Sequence, residues 1–228
     1  MKTILKQVLG VDVAKDELVV TLGKMFDDFS TELCAYKVFK NKESEFTALI
    51  DWVNKFTEDQ VKVRYVMEAT GVYHQKFAFY LFDNGHEVSV VLPNKISNYI
   101  RTLEVRTITD KTCSQAITKF GLERKLDIWQ RPNQTYKYLQ QLTRERDQIV
   151  LQRSMAKNQL HAEMHEAEPN QRSLERLKER IAFFNKQEKE IKKDINTSVN
   201  EDNEVKNEIK NITTITGIGK LTAVIILA

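Results

Sequence analysis

The first half of the chain alternates short apolar runs with stretches of helical periodicity. Five runs have the length and composition of β-strands, and they lie at residues 7–13, 18–22, 31–39, 62–67 and 87–92. The first three runs follow one another so closely that we expect an antiparallel meander. Apolar residues three and four apart predict a helix over 41–56, and a second helix is expected over 71–84. The pattern therefore predicts the element order βββαβαβ.

This order predicts a mixed sheet covered by helices, and it is the order of the ribonuclease H fold. In that fold an acid in the middle of the first strand lies beside an acid at the end of the fourth strand. A later helix supplies the remaining acids. Asp12, Glu68 and Asp110 occupy these three positions in the sequence.

The three carboxylates suit a metal site. A carboxylate inside an apolar strand is costly to bury unless a cation or hydrogen bonds compensate. Hard divalent cations such as Mg²⁺ or Mn²⁺ prefer oxygen ligands, and two such ions can clamp the attacking and leaving oxygens of a phosphodiester. Taken alone, each strand acid also has a simpler interpretation, Asp12 as a turn residue and Glu68 as a helix cap.

Positive charge is concentrated after the predicted sheet. The whole chain has 35 Lys and Arg against 32 Asp and Glu, whereas residues 93–160 contain thirteen basic and six acidic residues. A local basic stretch fits a nucleic-acid backbone, and a solvated helix face is the alternative. For Lys95, Arg101 and Arg106, which lie in a predicted short helix and loop, both interpretations stand open.

Long helices are predicted beyond Pro132. Apolar residues recur there at heptad-like intervals in two stretches joined around 166–171, which predicts a helical hairpin or coiled coil. Arg146 and Arg153 fall in the first seam. The seam is therefore expected either to pack imperfectly or to contact an external partner.

The last residues combine glycines with an apolar helix. Gly217 and Gly219 precede this helix and look like the turn of a helix-hairpin-helix. Glycine lets the backbone of such a turn approach a phosphate, and the following helix N-terminus favours an anion.

The cysteine content and the N-terminal sequence predict the cellular compartment. Cys34 and Cys113 show neither metal-ligand spacing nor a disulfide framework, which predicts a reducing compartment such as the cytoplasm. No signal-peptide pattern follows Met1, and no apolar run approaches the ~18 residues that span a membrane. We therefore expect no membrane contact.

Several short motifs together resemble one protein family. They are Gly10-Val-Asp-Val-Ala-Lys-Asp16, Met67-Glu-Ala-Thr-Gly-Val-Tyr73, Val91-Leu-Pro-Asn-Lys95, Thr109-Asp-Lys111, Arg144-Glu-Arg-Asp-Gln148, Lys157-Asn-Gln-Leu-His161 and Ile215-Thr-Gly-Ile-Gly219. With these motifs the chain resembles, over essentially its whole length, the DEDD-type transposases of insertion-sequence family 110. That family is related to the Piv DNA invertases.

The resemblance implies a domain organisation and an activity. It implies a RuvC-like ribonuclease H domain over 1–131, a coiled-coil arm over 132–210 and the start of a C-terminal transposase domain over 211–228. It also implies a bacterial DNA recombinase that is cytoplasmic and nucleoid-associated and that uses Mg²⁺ or Mn²⁺. Such enzymes act as dimers or tetramers, here through the coiled coil, and some are guided by a structured bridge RNA.

The resemblance also assigns residues. Asp12, Glu68 and Asp110 are implied as three of the family's four metal-site acids and as catalytic residues. Contacts to nucleic acid are expected at Lys95, Arg101, Arg106, Lys111, Arg144, Arg153, Lys157, Gly217 and Gly219.

Two features depart from the family pattern. The fourth acid of the family lies three residues after the third, where this chain has Cys113, and a thiol is a poor ligand for hard cations. The family's nucleophilic serine lies beyond the glycine turn, and no residue here is assigned that role. Three functions stand open: a transposase with a weakened metal site, a catalytically inactive truncated remnant that only binds nucleic acid, and a RuvC-like nuclease that uses three acids.

Overall fold

A five-stranded sheet and four helices make up the first part of the chain in the computed structural model, which describes residues 2–69, 71–103 and 107–227. The strands are β1 (Ile4–Val13), β2 (Glu17–Phe26), β3 (Thr31–Lys40), β4 (Val63–Glu68) and β5 (Glu87–Val91). The helices are α1 (Glu43–Asn54), α2 (Gln75–Asp83), α3 (Pro93–Thr102) and α4 (Asp110–Glu123). The described residues fall into two compact units, with the boundary between Arg131 and Pro132.

The strands are arranged in the order β3-β2-β1-β4-β5. β1 pairs antiparallel with β2 and β2 antiparallel with β3, whereas β4 lies parallel to both β1 and β5. This mixed topology is that of the ribonuclease H fold, so the predicted fold class and all five predicted strands are confirmed. The predicted helix over 71–84 begins only at Gln75. The delay has a local cause, since Gly71 adopts a φ of +56°, a left-handed conformation that does not belong in a helix.

The two faces of the sheet are covered by different helices. On one face, α1 and α2 bury a core around Leu9, Val11 and Met67. On the other face, α3 and α4 pack against Val8 and Val66. The faces alternate along each strand because successive side chains point to opposite sides of a sheet. Asp12 therefore shares the face of Val8, on which α4 lies.

Small residues let α4 approach this face closely. A Cβ atom at Gly10 would lie 2.4 Å from the Thr118 amide nitrogen and 2.6 Å from the Ser114 carbonyl oxygen. A Cβ atom at Gly121 would meet valine methyl groups of β1 and β4 at 2.7 and 2.9 Å. Ser114 Oγ lies 2.8 Å from Thr21 Oγ1, and Thr118 Oγ donates to the Thr21 carbonyl oxygen at 2.8 Å. The helix is thus held in backbone contact with β1.

The second unit consists of helices. α5 (Gln134–Met164) and α6 (Gln171–Glu201) pack along each other and are followed by α7 (Asn203–Ile212) and α8 (Lys220–Leu227). Their common core includes Leu139 and Ile149 of α5 and Ile191 and Ile195 of α6. The predicted helical hairpin is confirmed, and the predicted boundary at residue 210 stays a prediction. Among the described residues, no helix combines the length and apolar character that a membrane crossing needs.

The arginines in the hairpin seam have a partner within the hairpin. Glu188 of α6 is only 7% exposed. Its carboxylate accepts hydrogen bonds from Arg153, from Arg146 at 3.5 Å and from Lys192 at 2.7 Å. The hydrogen bonds from Lys192 and then Arg153 outweigh the effect of burial and lower the pKa of Glu188 to about 2. The seam therefore contains a charged cluster.

We predict that Gly10→Ala destabilises the first unit by about 1–3 kcal/mol, the usual cost of overpacking a core. The overlap involves backbone atoms of α4, so rotation of a side chain does not relieve it. Urea unfolding followed by tryptophan fluorescence measures the loss, because both tryptophans, Trp52 and Trp129, lie in the first unit.

Gly121→Ala is the matched comparison. Its overlap is with side-chain methyl groups at 2.7 and 2.9 Å and not with backbone atoms at 2.4 Å, and alanine is favoured over glycine in a helix by roughly 1 kcal/mol. We expect a smaller loss than for Gly10→Ala. A Gly10→Ala protein more stable than the wild type would contradict the close contact, since alanine is otherwise preferred to glycine within a strand.

Candidate metal centre

The three predicted acids lie at one end of the sheet. Asp12 is the penultimate residue of β1, and Glu68 is the last residue of β4. The parallel pairing of these strands places Val11 opposite Met67, so Asp12 and Glu68 are the next residues along each strand. Both side chains are half-buried.

The third acid comes from the start of α4. Thr109 is the N-cap of this helix, and its Oγ1 accepts a hydrogen bond from the Thr112 amide at 3.2 Å. In return, the Thr109 amide donates to Thr112 Oγ1 at 2.8 Å. This capping box fixes the first residue of the helix, which is Asp110. Cys113 follows one turn later and is half-buried.

The charges of these side chains act on one another. Burial, then the charge of Asp110 and then that of Glu68, raise the pKa of Asp12 from 3.8 to about 6. The Val13 amide donates a hydrogen bond to the Asp12 carboxylate and acts in the opposite direction. Burial and then the charges of Asp12, Glu68 and Asp110 raise the pKa of the Cys113 thiol. The structure therefore brings together three carboxylates and one neutral thiol.

The chemistry of this donor set fits a hard divalent cation, because carboxylate oxygens are the ligands that such cations prefer. The side chains do not form a finished coordination shell. Within the described ranges, no group of three or more His, Cys, Asp or Glu side chains converges closely enough to hold a metal ion. Metal binding is therefore part of the function proposed below.

A cleft adjoins the carboxylates. It has a volume of about 450 Å³, and both Glu68 and Cys113 line it. The cleft is also lined by Asn94 and Arg101 of α3 and by Ile108. An exposed guanidinium thus borders the same cleft as two members of the candidate metal centre.

The other residues of the first unit that are predicted to contact nucleic acid have different surroundings. Lys95 is exposed in the first turn of α3. Lys111 is exposed, and its ammonium lies 5.0 Å from the centroid of the Tyr36 ring. Arg106 lies outside the described residues. The roles of these residues in binding nucleic acid stay predictions.

The remaining candidates belong to the second unit. Arg144 and Lys157 are exposed on α5, whereas Arg153 binds Glu188 and donates to Asn185 at 3.0 Å. Gly217 and Gly219 lie in the turn between α7 and α8, and Gly217 adopts a φ of +90°. A turn was predicted there, and its contact with phosphate stays a prediction.

Sequence reasoning missed the residues that position the centre. Ser114, Thr118 and Gly121 are small and lie three or four residues apart, so they share one face of α4. This spacing, with Gly10 inside the first apolar run, is the signal that a close helix–sheet contact leaves in a sequence.

We predict that Asp12→Asn stabilises the first unit at neutral pH when measured in a chelator. The folded protein holds the Asp12 proton more tightly than the unfolded chain does, so the wild type loses stability as the pH rises from about 4 to about 6. The raised pKa corresponds to at most ~3 kcal/mol, and solvent screening of this partly exposed group reduces the expected gain to about 1 kcal/mol. Below about pH 4 the variant and the wild type should be equally stable.

Asp16→Asn is the control, because Asp16 is exposed in the turn after β1. Its effect should stay within about 0.5 kcal/mol at either pH. Urea unfolding at the two pH values measures both variants. A destabilised Asp12→Asn protein at neutral pH would show that the carboxylates do not repel one another.

Comparisons with known proteins identify the family of the chain. Residues 9–169 match the family model of the DEDD transposases of insertion-sequence family 110, whose description is "Transposase". Pilin gene-inverting proteins from Moraxella lacunata and Moraxella bovis are each 29% identical to this chain over 126 residues. These matches cover 55% of this chain and 37% of each relative, so the chain spans little more than a third of their length.

Two solved structures of Thermus thermophilus RuvC, one of them in complex with a Holliday junction substrate, also align with the chain. They cover 54% of this chain and 99% of their own, at 9% and 10% identity and TM-scores of 0.40 and 0.37. The fold is assigned from the sheet topology and not from this similarity. Because the family model matches well over half of the chain, the protein belongs to the DEDD transposases of insertion-sequence family 110.

Proposed function

We propose that this chain supplies the nuclease-like part of a DNA recombinase, in which Asp12, Glu68 and Asp110 hold divalent cations against a nucleic-acid phosphodiester. The observation that supports the proposal is that Asp12 near the end of β1, Glu68 at the end of β4 and Asp110 at the start of α4 are close enough for their charges to interact. Family membership supports divalent-metal dependence, and Mg²⁺ or Mn²⁺ is the proposed cation.

The proposed chemistry depends on the charge of Asp12, on the bound cations and on Arg101. Asp12 is ionised at neutral pH, and a bound cation would favour its charged form further. Divalent cations bound here would polarise the scissile phosphate and lower the pKa of a bound water. The guanidinium of Arg101, which lines the same cleft as Glu68, would orient a phosphate oxygen through charge-assisted hydrogen bonds.

DNA is the proposed partner. The support comes from the transposase family and from the pilin gene-inverting relatives, whose name denotes the inversion of a gene. A structured guide RNA, a dimer or tetramer joined through the α5–α6 hairpin, and a nucleoid location stay predictions.

A second candidate function rests on Cys113. Its raised pKa keeps the thiol neutral, so the fourth position offers no oxygen ligand. If three carboxylates hold the cations too weakly, the chain would bind nucleic acid without cleaving it.

Calorimetric titration of Mn²⁺ and of Mg²⁺ into the protein tests the proposal. We expect Asp12→Asn to weaken binding at least about tenfold, as the loss of a direct ligand should cost no less than the loss of a supporting residue. Cys113→Asp should strengthen binding, because it adds an oxygen ligand. Asp16→Asn should bind like the wild type.

The outcomes separate the two functions. Binding that appears only in Cys113→Asp would favour the second candidate function. Wild-type binding that Asp12→Asn leaves unchanged would remove Asp12 from the metal centre and overturn the proposal.

A further inference from the structure

The outer strand β3 continues the surface that carries Asp12. Asp12 pairs with Val19 of β2, which in turn pairs with Val38 of β3. Directly paired residues point to the same face of a sheet, so Val38 shares the face of Asp12. At the usual strand spacing, the two Cα atoms lie roughly 10 Å apart.

Tyr36 is two residues before Val38 on β3, so its side chain lies on the same face of the sheet. It pairs with Thr21, which pairs with Gly10 beneath α4. Thr21 is buried under the helix, whereas Tyr36 and Val38 are 42% and 40% exposed. An aromatic ring and an aliphatic side chain therefore lie open beside the candidate metal centre.

A cation lies over this ring. The Lys111 ammonium is 5.0 Å from the Tyr36 ring centroid, and Lys111 directly follows Asp110 in α4. The ring and the ammonium thus lie on the face of the sheet that carries Asp12. A strand positioned with a phosphate at the carboxylates could extend onto Tyr36.

We propose that Tyr36 is a stacking platform for an unpaired nucleobase and that Lys111 binds an adjoining phosphate. The inference rests on the proposed function, since it takes nucleic acid as the ligand, whereas the contacts at Tyr36 and Lys111 themselves require no cation. An aromatic ring beside a cation is the combination by which proteins hold single-stranded nucleic acid with little sequence preference.

The small area and the positive charge of the surface formed by Tyr36 and Lys111 favour a nucleic acid over a protein as its ligand. A stable protein interface buries about 800 Å² on each partner, far more than two partly exposed side chains supply. An exposed contact between a cation and a ring is weaker than a charge-assisted hydrogen bond to phosphate. Lys111 would therefore move from the ring to a phosphate, and the ring face would become available to a base.

The test measures binding of a fluorescein-labelled single-stranded oligothymidylate to the full chain by fluorescence anisotropy. A chelator is present, so no metal-dependent cleavage occurs. The variants are Tyr36→Ala, Tyr36→Leu, Tyr36→Phe and Lys111→Gln. Tyr36→Leu keeps the apolar bulk without the aromatic face, and tryptophan fluorescence confirms that each variant is folded.

Lys37→Gln is the matched control. Lys37 lies next to Tyr36 on β3, and its ammonium is 4.7 Å from the centroid of the buried Phe39 ring. Because side chains alternate along a strand, Lys37 and Phe39 point to the opposite face. Like Lys111→Gln, this variant removes one positive charge, but it leaves the proposed surface unaltered.

We expect Tyr36→Ala and Tyr36→Leu to weaken binding roughly 5- to 150-fold, the range for losing one stacked base. The slope of log affinity against log salt should not change in these variants, and Tyr36→Phe should bind like the wild type. Lys111→Gln should reduce the magnitude of the slope by about 0.7, the value for one phosphate contact on a single strand. Lys37→Gln should leave affinity and slope unchanged.

Four results would overturn the inference. The first two are the absence of oligonucleotide binding by the wild type and an unchanged affinity in Tyr36→Ala. The third is an equal change of the salt-dependence slope in Lys37→Gln and Lys111→Gln. The fourth is an altered oligomeric state in Tyr36→Ala. The last would identify the face as a contact between protein copies. Because no divalent cation is present, failure of this test is distinguishable from failure of the proposed metal centre in the titration.

Discussion

The candidate metal centre depends on one steric constraint, the contact between α4 and the middle of β1. Gly10 has no side chain, so backbone atoms of α4 come into contact with the strand. The Thr109 cap then determines where the helix begins. Together these two features bring Asp110 and Cys113 to the end of the sheet where Asp12 and Glu68 lie. The geometry of the carboxylates is thus a consequence of core packing.

Burial, together with the charges of Asp110 and Glu68, raises the pKa of Asp12, so gathering the carboxylates at the partly buried end of the sheet has an electrostatic cost. The fold tolerates this cost because the sheet pairing and the α4 packing hold the three elements independently of the acids. Cys113 changes the balance, since a neutral thiol at the fourth position adds no repulsion. A thiol also offers no oxygen ligand to a hard cation, so an acid in place of Cys113 would change the stability of the free protein and its affinity for the cation in opposite directions.

Charge serves a different purpose in the α5–α6 hairpin. Glu188 is buried, and it binds Arg146, Arg153 and Lys192. A shifted register of the two helices would leave this buried charge without partners, which is costly. We therefore interpret the cluster as a device that specifies how the helices align. A basic residue in a helix seam is accordingly weak evidence for a contact with nucleic acid.

The sequence by itself determined the elements and their order, because apolar periodicity is a local property of the chain. It also predicted that Asp12 lies on the first strand and Glu68 at the end of the fourth. The structure pairs these strands in parallel and moves Asp12 from the expected middle of its strand to the penultimate position. Only the tertiary structure decided how closely α4 packs and which partner each charged residue has, as in Arg153 with Glu188 and Lys111 with Tyr36. These choices depend on residues distant in sequence, such as Thr21 and Thr118, which are 97 positions apart and joined by a buried hydrogen bond. No local pattern specifies such a contact, because its energy exists only after the chain has folded.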